Sequence, residues 1–238
     1  MNRYLQEPAH CAICSIATVA NYYNPELNYE IVRNFATKYV FNDIEDGLGT
    51  GQMGKLLNYL GFKNVTVISS DLNFLDYEWS KYSKRKLIET LKEIKDKVNE
   101  EYRSEARGFY KWLKNKEFDN KLIIDYNFGK YIRKHIRSKK PVIISFNFSL
   151  FFKLAKSNDK GEDDSIKGDW DEHAVVIYGC DEKGVNICDS HYESYKYRLK
   201  RYRKGFYRIS WENLMSIIGF GDVILADNFN NVLDIIEK

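Results

Sequence analysis

The sequence predicts an α+β fold in which N-terminal helices pack against a C-terminal antiparallel sheet, and three observations carry that expectation. Apolar residues recur at helical spacing through the first sixty positions. After residue 140, runs of β-branched and aromatic residues separated by Gly or charged turns take over. At 238 residues and 44% apolar, the chain is long enough to bury one complete core. A single domain over residues 1–238 is expected, carrying a charged helical insertion at about 81–121.

In chain order, Cys11 to Tyr23 places Ile13, Ile16, Ala17, Ala20 and Tyr23 on one helical face and ends before Asn24-Pro25, so a buried helix begins at Cys11. Tyr29 to Tyr39 reads as a second helix. Gly47-Leu48-Gly49-Thr50-Gly51 reads as a turn with Thr50 capping a helix over Met53 to Leu60, which Gly61 closes. Val65 to Ile68 is a strand. Residues 81–121 hold 13 Lys plus Arg against 8 Asp plus Glu, with Leu87, Leu91, Ile94, Val98 and Tyr102 spaced by three and four. That pattern predicts a solvated helix pair attached through a narrow apolar stripe. Beyond it come a helix (Tyr131 to Arg137), a strand (Pro141 to Phe148), and an acidic loop holding Asp159, Glu162, Asp163, Asp164, Asp169, Asp171 and Glu172, read first as a solvated connector and second as a cation-attracting rim of a cleft. Strands are expected at His173 to Tyr178, Val185 to Cys188, Tyr192 to Leu199 and Phe206 to Ile209. A short helix over Trp211 to Ile217 and a last strand at Val223 to Ala226 complete the chain.

Composition excludes several classes. The net charge is only +3, and apolar content is too high for a disordered or collagen-like chain. No apolar run approaches the roughly 18–20 residues of a membrane-spanning helix. The first residues, MNRYLQEPAHC, lack the apolar region of a secretory signal, so a cytoplasmic location and no membrane partner are expected. Cys11, Cys14, Cys180 and Cys188 are too few for a disulfide scaffold and are expected as thiols.

Cys11 opens a helix, where the positive end of the helix dipole favours a thiolate. His173 opens an almost wholly apolar strand. Asp189 ends the next strand across the Asp181 to Gly184 turn, so an antiparallel hairpin brings His173 and Asp189 to the same end of the ladder. A carboxylate there can fix the imidazole tautomer while the imidazole pairs with a thiolate. Gln6, on the segment entering the helix, can supply an amide donor to an oxyanion.

Taken together, Gln6-x4-Cys11, the helix ending in Tyr22-Tyr23, Gly49-Thr50 leading into Leu56-x2-Tyr59-Leu60-Gly61, Lys140-Pro141-Val142-Ile143-Ile144, and His173-Ala174-Val175-Val176 followed by Asp189 resemble the bacteriocin-processing (double-glycine leader) cysteine peptidases of the papain-like clan. The order of the motifs is also that family's, and the resemblance spans nearly all of the chain outside residues 81–121. It departs at Ala12, where the family usually has Gly, and at Ser190, where it usually has Pro. The resemblance implies a papain-like fold, Cys11 as nucleophile, His173 as general base, Asp189 as its orienting group, Gln6 in the oxyanion hole, a peptide or other amide substrate, and no metal or other cofactor. Stand-alone relatives of this group include amide hydrolases and acyltransferases, so acyl transfer on the same thioester stays open, as does an inactive binding protein.

Two further readings compete. Cys11-x2-Cys14 with Cys180, Cys188, His173 and His191 contains enough soft ligands for a tetrahedral Zn site, although the first pair lies in an apolar helical run rather than a Gly-rich turn. The basic run Lys196 to Lys204, with Lys196, Arg198, Lys200, Arg201 and Arg203, offers a docking strip for an anionic partner. The low net charge argues against a dedicated nucleic-acid module. Residues 81–121 are expected to fold over the cleft as a cap that selects a narrow, acidic substrate.

Overall fold

A computed structural model describes residues 1–7, 9–40, 47–158, 162–191, 205–219 and 221–231. The chain is α+β: eight α-helices and a seven-stranded mixed sheet among these residues. Three helices come first: α1 (Cys11–Tyr23), α2 (Tyr29–Tyr39) and α3 (Thr50–Tyr59). After them come β1 (Phe62–Ser69), a 3-10 turn at Tyr77–Lys81, α4 (Lys84–Ile94), α5 (Glu100–Leu113) and β2 (Lys121–Ile124). Next are α6 (Phe128–Arg137), β3 (Val142–Asn147), α7 (Phe148–Phe152), β4 (Glu172–Cys180) and β5 (Gly184–Cys188). The chain continues with β6 (Phe206–Ser210), α8 (Trp211–Ile217) and β7 (Asp222–Phe229). The expected strand at 192–199 and the basic run at 196–204 lie outside the described residues.

The strand order is β2-β1-β7-β3-β4-β5-β6. Only β1 and β2 pair in parallel; the other neighbours are antiparallel. The picture of N-terminal helices on a C-terminal antiparallel sheet needs two corrections. Two strands, β1 and β2, come from the part of the chain before residue 125, and helices cover both faces of the sheet. Alternate strand residues separate the two layers, as a period of two requires. Val65, Val67, Ile143, Ala174, Val176 and Ile224 face the core formed with α1 to α5. Ile68, Val142, Ile144, Val175, Ile177 and Val223 face the core formed with α6 to α8. Near-continuous apolar runs such as VIISF and HAVVIY are what a sheet buried on both faces demands.

Helices α4 and α5 are attached by far more than a narrow stripe. Phe109 and Leu113 are fully buried, Trp112 nearly so, and all three belong to the main core with Leu87, Leu91 and Ala106. The glycines of the 47–54 stretch serve this packing. A Cβ on Gly51 would fall 2.3 Å from the backbone of Gly108 and Phe109, and one on Gly54 would fall 2.7 Å from the Trp112 indole nitrogen. The α3 and α5 backbones therefore meet directly. Thr50 is not a cap: Gly49 holds that position, and the Thr50 hydroxyl is turned inward. Gly61 ends α3 as expected, at φ +109, where a side chain would be strained. Among the described residues no helix is long and apolar enough to cross a membrane.

Candidate active site

Cys11 is the first residue of α1, and the apolar residues after it fix its position. Ala12, Ile13, Ile16, Ala17, Val19 and Ala20 are all buried, which seats the helix on the sheet. The Ser15 hydroxyl donates to the Ala174 carbonyl at 3.0 Å, pinning the first turn of α1 to β4 one residue beyond His173. His173 is the second residue of β4, opposite Phe146 of β3, with the rings of Phe146 and Phe148 set edgewise against its imidazole. In the β4–β5 hairpin Val176 lies opposite Cys188, so Asp189 emerges past the end of β5 beside the start of β4.

The three side chains meet. The Nε2 of His173 is 2.7 Å from Oδ1 of Asp189, and the imidazole lies near enough to the Cys11 sulfur for each to shift the other's protonation. With Nε2 occupied by the carboxylate, Nδ1 is the ring atom left for sulfur. Asp189 is completely buried and fully engaged: Oδ1 also accepts the His191 backbone N–H at 2.8 Å, and Oδ2 accepts the Tyr207 hydroxyl at 2.9 Å. Gln6 is tied to the same turn. Its Oε1 accepts the Ser190 hydroxyl at 2.6 Å and its backbone N–H donates to the Ser190 carbonyl at 3.4 Å. Arg3 donates from Nε to the Asp189 carbonyl at 2.5 Å, so the N-terminal segment and the Asp189 turn hold each other. Ser190, one of the two departures from the family pattern, thus orients the Gln6 amide so that its nitrogen is left to donate.

Charge is distributed accordingly. Burial pushes the Cys11 thiol up, but the nearby His173 and its charge, with the backbone N–H groups of Ala174 and Ala12, outweigh it and leave the thiol below its ordinary value. Burial opposes protonation of His173, yet the Asp189 carboxylate and then Cys11 raise it to about 10. Asp189, against the pull of burial, is held below the usual carboxylate range mainly by His173. These shifts describe a thiolate–imidazolium pair backed by a carboxylate.

The other cysteines differ. Cys14 is fully buried, donates weakly to the Leu5 carbonyl at 3.8 Å, and is pushed up to about 12 by burial and the nearby Cys11. Burial likewise raises Cys188 to about 12, and raises Cys180 as well. Among the described residues no three or more His, Cys, Asp or Glu side chains are grouped as a metal centre. His10 is bonded through Nδ1 to the Tyr29 hydroxyl at 2.7 Å, away from the base position.

Cys11 and His173 open on a cleft of about 480 Å³, within the range of small-molecule and peptide pockets. Gln6 does not line it; Tyr102 and Glu105 of α5 do, so the charged helical segment forms one of its walls. Sequence reasoning missed Tyr207, the Arg3 strap, and three acidic residues lining this cleft, Asp71, Glu105 and Asp222; the fourth, Glu172, falls at the end of the acidic loop that the sequence predicts. Inward alternation of Tyr207 and Ile209 along β6 was visible in the sequence, but not the acceptor its hydroxyl finds. No protein-family model matches the chain, and no curated protein matches it.

Proposed function

We propose that this chain is a cysteine-nucleophile amide hydrolase, a peptidase working through an acyl-thioester on Cys11 on a papain-like fold. The observation that carries the reading is the contact series Cys11, His173, Asp189, with a helix-borne thiol facing a strand-borne imidazole whose far nitrogen is held by a buried carboxylate. The Cys11 thiolate attacks the amide carbonyl and the C–N bond breaks as His173 passes its proton to the departing amine. Water then loses a proton to the neutral imidazole, adds to the thioester and releases a carboxylic acid and the thiol. Asp189 keeps the ring oriented and stabilises its charged form. The backbone N–H at the start of α1 donates to the oxyanion, and Gln6, which does not line the cleft, holds the Asp189–Ser190 turn through Ser190.

A fluorogenic peptide library tests this. Turnover that disappears in Cys11→Ala is the expected result, and equal turnover by the two proteins would contradict the reading. Adding a primary amine to the same assay separates hydrolysis from acyl transfer, because transfer yields a new amide in place of the acid.

A further inference from the structure

The cleft beside Cys11 is acidic in a way the overall charge of the chain does not foreshadow. Asp71 follows β1, Glu105 sits on α5, Glu172 opens β4 and Asp222 opens β7. Four separate elements thus send carboxylates to one cavity, and no Lys or Arg is among the described residues that line it. Acidic residues on a solvated surface avoid one another or pair with bases; these do neither. Burial and then Asp222 raise Glu105 to about 8, and burial with Asp222 and Asp71 raises Glu172, at the mouth, to about 7. Burial raises Asp222 to about 6.

A second observation points to a ligand. Asp222 is only 7% exposed; its Oδ2 accepts the Thr50 hydroxyl at 2.5 Å, while its buried Oδ1 has no hydrogen-bond partner. The Ser69 hydroxyl lies near enough to ease the carboxyl downward but outside hydrogen-bond geometry. A buried carboxylate oxygen without a donor is costly, and cleft residues that leave one are arranged for a donor that arrives from outside.

We propose that this cavity is a specificity subsite for a cationic group, an ammonium or guanidinium carried by the substrate close to the bond that Cys11 attacks. The inference rests on Cys11 being the nucleophile. The carboxylates do not gather three around one point, as a divalent metal needs. They surround a space, which suits a group whose N–H donors point in several directions. The acidic substrate expected from the basic charge of residues 81–121 is therefore replaced by a basic one, because the residue that α5 turns into the cleft is Glu105.

Three methanethiosulfonate reagents of similar size test the subsite without knowledge of the natural substrate: trimethylammonioethyl, hydroxyethyl and sulfonatoethyl. Each transfers its thioethyl group to the Cys11 thiolate, forming a mixed disulfide as methanesulfinate leaves. Rates are measured at pH 8.5 on the full chain, normalised to 2-mercaptoethanol, with adducts mapped by mass. The cationic reagent is expected to outpace the anionic one at Cys11 by at least about tenfold, the scale of focusing by a charged cleft. Glu105→Gln combined with Asp222→Asn is expected to bring that ratio towards one. The chain's overall positive charge would favour the opposite order. Equal rates, or a faster anion, overturn the subsite and leave the nucleophile standing. A high ratio unchanged in the double variant also overturns it, since other groups would then supply the field. No reaction of Cys11 with any reagent removes the nucleophile and the subsite together; if the double variant does not fold, the wild-type ratio still decides.

Discussion

Replacing His173 by alanine removes the one side chain that draws the Cys11 sulfur towards the thiolate. In the variant, burial of the thiol is opposed only by the backbone N–H groups of Ala174 and Ala12, so the thiol rises from its lowered value. Each unit of that rise cuts the thiolate fraction at pH 6.5 by up to about tenfold. A more basic thiolate is intrinsically more nucleophilic and gives back up to about half of that exponent. Alkylation of Cys11 by iodoacetamide at pH 6.5 should accordingly slow by at least about threefold, the net of those two effects for a rise of one unit. Asp189→Asn should slow it less, because the imidazole and its contact to sulfur remain. The assay is peptide-mapped labelling under pseudo-first-order conditions, with far-UV circular dichroism to verify folding. A His173→Ala rate within twofold of wild type would refute the ion-pair argument.

Three other outcomes are expected. Tyr207→Phe strips Asp189 Oδ2 of its donor in a fully buried site and should cost about 1–3 kcal/mol in denaturant unfolding; a loss below about 0.5 kcal/mol would contradict the role given to that network. Glu105→Gln should stabilise the fold increasingly as pH rises from 5 to 8. A carboxyl raised to about 8 by burial and by Asp222, Glu172 and Asp71 favours the folded state while protonated and penalises it once ionised; a melting-temperature difference that shrinks over that range would show the sign to be wrong. Trp112→Ala should cost about 3–5 kcal/mol and excision of 84–118 should unfold the chain, because Phe109, Trp112 and Leu113 fill the main core; a folded deletion product with native near-UV dichroism would contradict this.

The bounds of α1, α2 and α8 were legible because each has clear punctuation: Asn24-Pro25 after the first, Asn28 capping the second, Ser210 capping the third. The meeting of His173 and Asp189 was legible as hairpin geometry, since a four-residue turn fixes which strand ends coincide. Strand β2 was not, being four residues at a sheet edge inside a strongly charged stretch. Thr50 looks like a cap in sequence, but the need of Asp222 for a donor claims its hydroxyl. Of the acidic cleft only Glu172 was legible, as the end of an acidic loop that could rim it. Positions 71, 105 and 222 carry no spacing signal, and only the crossing of α3 and α5 at Gly51 and Gly108 brings Glu105 against the cleft.

Whether Cys11 carries the acyl group is the question on which the proposed function turns. Mixing the protein with a 4-nitrophenyl ester of an N-acetylated lysine, quenching in acid within seconds and weighing the intact chain answers that. The expected result is one hydroxylamine-labile acyl group per chain, mapped to Cys11 and absent from Cys11→Ser. An adduct on Lys, Tyr or another cysteine with Cys11 left free, or nitrophenol release that persists undiminished in Cys11→Ser, would contradict it.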